Sequence, residues 1–304
     1  MIKTGFQLNR RWAALAAGAL LIASTQLLMV NAASAADGDV TEYKLNNGLR
    51  VVVKEDHRSP TVAHMVWYKA GSMDEYNGTT GVAHVLEHMM FKGTPTIGTK
   101  DYKKDLEIIN EQERVRDLMR KEERKMRDLW RRGEITDLRD PEQKTARWKK
   151  LHEDFKKLEA EQAKIIVKNE FDRIYTSNGG SSMNAYTSND HTAYFITVPA
   201  NKLELFMWME SGRILNPVFR EFYTERKVVF EERRMRTEST PLGKFYESFN
   251  SLFLESHPYG WPVLGCPSAI PAVPMPTLRR WWRVASTLDR PESRAWLDAS
   301  EQPS

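Results

Sequence analysis

One cysteine in 304 residues rules out an internal disulfide, whatever compartment the chain occupies. That residue, Cys266, stands far from the N-terminus, which also excludes a lipid-modified leader cysteine. Acidic residues are missing altogether before Asp37, so Lys3, Arg10 and Arg11 give the opening segment a purely positive start. The formal net charge is +4, and without those three cations it is +1. A balance that close to neutral makes no electrostatic case for nucleic acid, in spite of a sequence pI near 9.0. Internal repeats and low-complexity tracts are also absent, which sets aside solenoids and linker-like chains.

What is there can build a core. The chain is 41% hydrophobic and 28% charged, with room for one large domain or two small ones. An apolar stretch from Trp12 to Val30 follows the positive start, and Ala33-Ser34-Ala35 then offers an A-x-A cleavage site. Together they predict a secretory signal over residues 1–35. An uncleaved N-terminal membrane anchor is the rival, because the stretch could just span a bilayer, but Ser24, Thr25 and Gln26 interrupt it. The Arg10-Arg11 pair hints at a twin-arginine signal, although the flanking LNRRWAA fits poorly. Export is therefore expected, with a Gram-negative periplasm as the favoured compartment. Membrane contact is expected only through the signal segment, and no nucleic-acid partner.

The order of periodicities predicts an α+β fold. TEYKLNNGLRVVVKED alternates around Asn46-Asn47-Gly48, as a β-hairpin does. Thr61 to Gly71 is a third strand candidate, and GVAHVLEHMMF a helix. Residues 101–170 change character to dense charge, with apolar residues at Ile108, Val115, Met119, Met126 and Trp130 and then at Trp148, Leu151, Phe155, Leu158 and Ile165. That spacing predicts an antiparallel helical hairpin, its second arm capped by Asp140 with Pro141 in the first turn. Charged helices usually face water, so a solvated, protruding insertion is expected, with a docking arm as the functional alternative. Gly179 to Pro199 returns to strand character, and two helices follow, one ending before Asn216-Pro217 and one rich in Glu and Arg.

Chemistry concentrates in GVAHVLEHMMFKGT, Gly81 to Thr94. His84 and His88 are four apart, so on a helix both imidazoles can face one cation. Glu87 can reach a water on that cation without binding it. Two imidazoles suit zinc, but a catalytic zinc takes three protein ligands and keeps one open position. H-x-x-E-H is the inverse of the zincin H-E-x-x-H. On these residues alone, a catalytic helix and an ordinary helix with two polar positions both stand.

The surroundings resemble the pitrilysin-like, or insulinase, metallopeptidases, a family that includes mitochondrial processing peptidase. GSMDE…GVAHVLEHMMFKGT, NAYTSNDHTAYF with Val198-Pro199 beyond it, and ERKVVFEERRMR occur in that family's order and form, over roughly Val40 to Gly265. The resemblance implies an antiparallel-rich sheet packed by helices, the N-terminal domain type of these enzymes, over residues 36–283. It implies one zinc per chain, held by His84, His88 and Glu232, with Glu87 as the catalytic base and Glu225 supporting the site. Glu225 and Glu232, seven apart, would share a helix face, whereas Glu231 sits about 100° around. It also implies an edge strand that pairs with an extended peptide substrate through Asn184, Ala185 and Tyr186. The remaining histidines, at 57, 64, 152, 191 and 257, are expected to be surface or packing residues.

Two departures qualify that expectation. His88 and Glu232 are separated by about twice the family's usual gap, and the 101–170 hairpin is expected to account for the excess. After Leu278–Arg283 the sequence VASTLDRPESRAWLDASEQPS loses pattern, so residues 284–304 are expected to be an aberrant, disordered tail of a truncated or frameshifted chain. The leading function is a zinc-dependent endopeptidase acting on exported peptides or small proteins, with a second family domain or subunit completing its site. The first alternative is a catalytically impaired peptide-binding or partner subunit. The second is a structural adaptor using the charged hairpin.

Overall fold

The computed structural model describes residues 40–286. They fall in two units that divide after Ser59. In the first, β1 (Val40–Lys44) and β2 (Arg50–Lys54) pair antiparallel, Val40 opposite Lys54 and Lys44 opposite Arg50. Gly48, at φ 87°, turns the chain between them, and the Asn47 side chain accepts the amide of Leu49 at 3.1 Å. Arg50 and Glu42 link the two strands through paired 2.7 and 3.1 Å hydrogen bonds.

The second unit is built on a three-stranded antiparallel sheet in the order β3 (Thr61–Tyr68), β5 (Thr192–Pro199), β4 (Ser181–Thr187). The sequence explains the order. TAYFITVP is apolar at nearly every position and takes the centre, where it is mostly buried. TVAHMVWY alternates, turning Val62, His64, Val66 and Tyr68 inward, and takes an edge. β4 is the other edge, and a register shift between Ser181 and Asn184, with Ser182 at φ 56°, marks a bulge.

Helix α1 (Val82–Met89) is buried at Val82, Ala83, Val85, Leu86 and Met89, and also at His84 and Glu87. A short helix buried on most sides needs neighbours all round. α6 (Phe222–Arg233) and α8 (Met275–Ser286) belong to the same core, α8 through Met275, Leu278, Trp281 and Ala285. α8 runs through Ser286 with Ala285 buried, so helix continues into the segment expected to be aberrant from residue 284. The rest of that tail, from 287, and the signal segment lie outside the described residues.

The start of α1 is pinned from two sides. The Glu75 carboxyl oxygens accept the amides of Gly81 and Ala83, both at 2.8 Å, and so satisfy two donors that a helix N-terminus leaves free. Gly81 and Gly265, at φ 92° and 81°, meet backbone to backbone, and a Cβ on Gly265 would sit 2.5 Å from the carbonyl oxygen of Thr80.

α2 (Tyr102–Arg131) and α3 (Ala146–Ile165) form the expected antiparallel hairpin, with Gln112 bonded to Gln162 and Glu123 to Trp148. Two expectations about it are corrected. The cap of α3 is Thr145, whose hydroxyl accepts the amide of Trp148; Asp140 instead closes a turn by accepting from Glu142 and Gln143. The hairpin is also not a solvated arm. Ile108, Val115, Met119, Met126 and Phe155 are buried, and the Phe155 ring meets Tyr223 of α6 edge-on at 5.4 Å. At its base Asp105, fully buried, receives Gln162 at 2.9 Å and Arg220 at 2.5 Å. The Arg220 guanidinium also donates to the carbonyls of Lys92, Thr94 and Ile97. Charge density along the helices hid a buried seam that only the partner residues reveal.

α4 (Glu170–Ser177) and α5 (Leu203–Leu215) cover the sheet in a second cluster around Phe171, Tyr175, Phe206 and Met209. α7 (Gly243–Phe253) differs: Phe245, Tyr246, Phe249, Leu252 and Phe253 are all exposed. Among the described residues no helix is long and apolar enough to cross a membrane.

Candidate metal centre

Helices α1 and α6 face each other, and the histidines anticipated from spacing meet there the glutamates that the family resemblance implied. His84 and His88 stand one turn apart with ring centroids 4.8 Å from each other and planes at 83°. Glu232 Oε2 lies 3.1 Å from His88 Nε2 and 3.7 Å from His84 Nε2. A tetrahedral ion about 2.0–2.1 Å from three donors would set edges of about 3.3 Å between them. The two observed separations bracket that edge. His84, His88 and Glu232 form a group able to hold a metal ion, their donor atoms all within 4.8 Å of one another. His–His–carboxylate is a donor set that zinc accepts and that leaves a position open.

The opposite nitrogen of each imidazole is treated differently. His88 Nδ1 lies 3.0 Å from Glu225 Oε1, a contact that fixes ring and tautomer. His84 Nδ1 is buried without a hydrogen-bond partner among the described residues. Burial drives the His84 imidazole below its ordinary range, helped by the nearby His88 charge. Burial opposes a charge on His88 too, but hydrogen bonds to Glu225 and Glu232 outweigh it and raise its pKa to about 9. Glu225 resists burial in the same way, held down to about 2 by His88 and Lys92. The hydrogen bond from His88 leads the effects that lower Glu232. His88 thus sits between the carboxylates of Glu225 and Glu232, which Lys92 and Arg236 also meet from the outer side.

Glu87 is 8% exposed and occupies the same cleft. Burial raises its pKa, partly countered by the Thr187 hydroxyl, which donates to Oε2 at 2.5 Å. The cleft is about 780 Å³, and Asn184, Ala185 and Tyr186 of β4 line it beside the histidines. Those residues pair with Phe195, Tyr194 and Ala193 of β5 on one side, and β4 has no other strand neighbour among the described residues. Glu231 turns out to water and pairs with Arg234.

The other histidines lie apart from the centre. His64 stacks on Phe206, His152 on Trp148 and His191 on Trp67, while His57 and His257 make local contacts with Glu55 and Tyr259. Three participants were not anticipated: Thr187, Arg236 and Lys92. Thr187 follows Ala185 by two and so shares its strand face, a signal the alternation carried. Arg236 reaches Glu232 at 2.9 Å from four residues on. Lys92 reaches Glu225 at 2.6 Å from beyond the end of α1, where helical periodicity no longer applies.

The description of the insulinase family, peptidase family M16, matches residues 50–115 and 142–264, well over half of the chain. The chain belongs to that family. Residues 116–141, unmatched, are the far part of α2 and the turn beyond it. Zinc protease PqqE of Helicobacter pylori is 31% identical over 226 residues, 73% of this chain and 35% of that protein. Among solved structures, a Helicobacter pylori protease superposes with a TM-score of 0.56 at 23% identity, over 82% of this chain and 44% of that one. The periplasmic protease PqqL of Escherichia coli gives 0.54 at 20% identity, over 82% and 21%. These likenesses establish the M16 domain fold, α+β with an antiparallel sheet. The chain spans less than half the length of these M16 relatives.

Proposed function

We propose that this M16 domain is a zinc-dependent endopeptidase domain acting on exported peptides or small proteins. One observation carries the reading: His84, His88 and Glu232, drawn from helices more than a hundred residues apart, bring their donor atoms within 4.8 Å of one another with Glu87 in the same cleft. Zinc bound there would lower the pKa of a water molecule to about 7 and polarise a peptide carbonyl.

The chain's own residues do the rest. The open edge of β4 takes an extended peptide by main-chain hydrogen bonding at Asn184, Ala185 and Tyr186, which asks little of its sequence. Glu87 accepts a proton from the attacking water and passes it to the leaving amine nitrogen. Its raised pKa suits a group that must do both, and Thr187 holds one carboxylate oxygen so that the other is free for the proton. Glu225 keeps His88 presenting Nε2 to the cation.

A second reading has its own support. The chain spans 35% of the length of PqqE, and α7 exposes a stripe of Phe245, Phe249, Leu252 and Phe253. A second M16 domain, on the same or a partner chain, would cover such a stripe. Without it the domain would bind peptides and cleave them poorly or not at all. The proposal of export rests on the signal pattern expected over residues 1–35, and PqqL of Escherichia coli is a periplasmic protease.

Glu87→Gln tests the chemistry. The variant should keep zinc near one equivalent and lose peptide hydrolysis by at least a hundredfold, the scale of general base catalysis. Hydrolysis that survives Glu87→Gln removes the proposed base. A wild-type chain that binds zinc but never cleaves supports the second reading.

A further inference from the structure

Lys92 is absorbed by none of the roles above, yet it is placed with care. Its backbone is held at both ends: its amide donates to Met89 at 3.1 Å, and its carbonyl accepts from the buried Arg220 at 3.0 Å. From there its side chain crosses from the end of α1 to the first turn of α6, reaching Glu225 Oε2 at 2.6 Å and Glu221 Oε2 at 3.5 Å. The Lys92 and Glu225 side chains are only 22% and 15% exposed, so water competes weakly for either.

We infer that Lys92 is a positioning residue for the metal centre, holding Glu225 in the orientation that fixes His88. The inference rests on the zinc reading above. Glu225 has two carboxylate oxygens with two different duties, Oε1 toward His88 Nδ1 and Oε2 toward Lys92. A carboxylate bonded by a charged donor at one oxygen cannot rotate without breaking that bond, which is among the stronger hydrogen bonds in proteins. Glu221 lies one turn before Glu225, and like charges at that spacing repel. Lys92 lies between the two acids, offsets that repulsion and keeps Glu225 turned to His88. The ion pairs of Lys92 are with Glu225 and Glu221, so it acts through Glu225 on His88.

The test uses the full chain, with zinc affinity measured by competition with a chelating dye and cobalt(II) as a spectroscopic substitute. Lys92→Met should weaken zinc binding by about tenfold or more, the usual scale for losing support of a metal-bound histidine. It should also change the cobalt(II) d–d spectrum, because the His88 ring is no longer fixed. Lys92→Arg, which restores a donor to Glu225, should recover most of both. Lys168→Met removes another cation of the same cleft and should leave affinity and spectrum at wild-type values. Wild-type affinity and spectrum in Lys92→Met would overturn the inference, as would an equal loss in Lys168→Met, which would reduce Lys92 to a diffuse charge effect. If the wild-type chain takes up no zinc, the metal reading itself fails and this inference with it, a result distinct from either of those.

Discussion

Asp105→Ala should destabilise the domain far more than its place on a charged helix suggests. The native carboxylate is fully buried and meets Arg220, itself 1% exposed, at 2.5 Å. Removing it leaves a guanidinium in the interior with three carbonyl partners and no carboxylate bonded to it. Breaking a buried ion pair from one side costs about 3–5 kcal/mol, most of it the stranded charge. For a domain of this size that is a fall in Tm of about 10 °C. Glu111→Ala is the internal control: Glu111 pairs with Arg114 on the same helix at 2.6 Å, but both side chains are well exposed. Exposed pairs contribute about 1 kcal/mol or less, so its Tm should move by no more than a few degrees. Urea unfolding of both variants, with unchanged slope, gives the comparison. If Asp105→Ala folds too poorly to measure, Asp105→Asn keeps the volume and removes only the charge. Equal losses for Glu111→Ala and either Asp105 variant would refute the reasoning, because the hairpin base would then be energetically a surface feature.

Two further outcomes follow from the start of α1. Burial raises Glu75 from its ordinary 4.5 to about 8, against the pull of the two amides it accepts. A pKa raised by folding means stability is fully present below about pH 4.5 and is lost as the pH rises through 8; Glu75→Gln should flatten that part of a Tm–pH profile, and an unchanged slope would assign it elsewhere. Gly265→Ala should lower stability by at least about 2 kcal/mol, since it combines left-handed strain with a Cβ 2.5 Å from the Thr80 oxygen. Gly78→Ala, with the same sign of φ but nothing within 4 Å, should cost only the strain, about 1 kcal/mol; urea titration of the pair would show whether the contact at Gly265 matters.

Legibility in the sequence followed the range of the interaction. His84, Glu87 and His88 were readable because four-residue spacing on one helix is local geometry, whereas Glu225 and Glu232 came from the family resemblance, with which their shared helix face agrees. The β-hairpin at Asn46-Asn47-Gly48 and the strand at Thr61 were readable from alternation. The seating of α2 was not: Asp105 looks like any acid in a charged helix until Arg220, 115 residues on, is known to be its partner. Thr145 took the cap from Asp140 because Asp140 spends its oxygens on Glu142 and Gln143, a competition that side-chain preference alone does not rank. Lys92 belongs to neither helix that it joins, so no periodicity pointed to it.

The buried junction at Asp105 and Arg220 also says where this domain can vary. It fixes the root of the hairpin to the same residues that lead out of α1 and into α6, so changes in arm length near that root would disturb the helices carrying the histidines and glutamates. Farther out the two arms pack against each other, and antiparallel arms can gain or lose whole turns together without moving their roots. Residues 116–141, which the family match leaves out, run outward from the level of Tyr223, where Arg116 and Arg120 still meet α6. Evolution has in this hairpin a part whose length is adjustable and whose mounting is not, so relatives should differ there in reach while keeping the geometry of the centre.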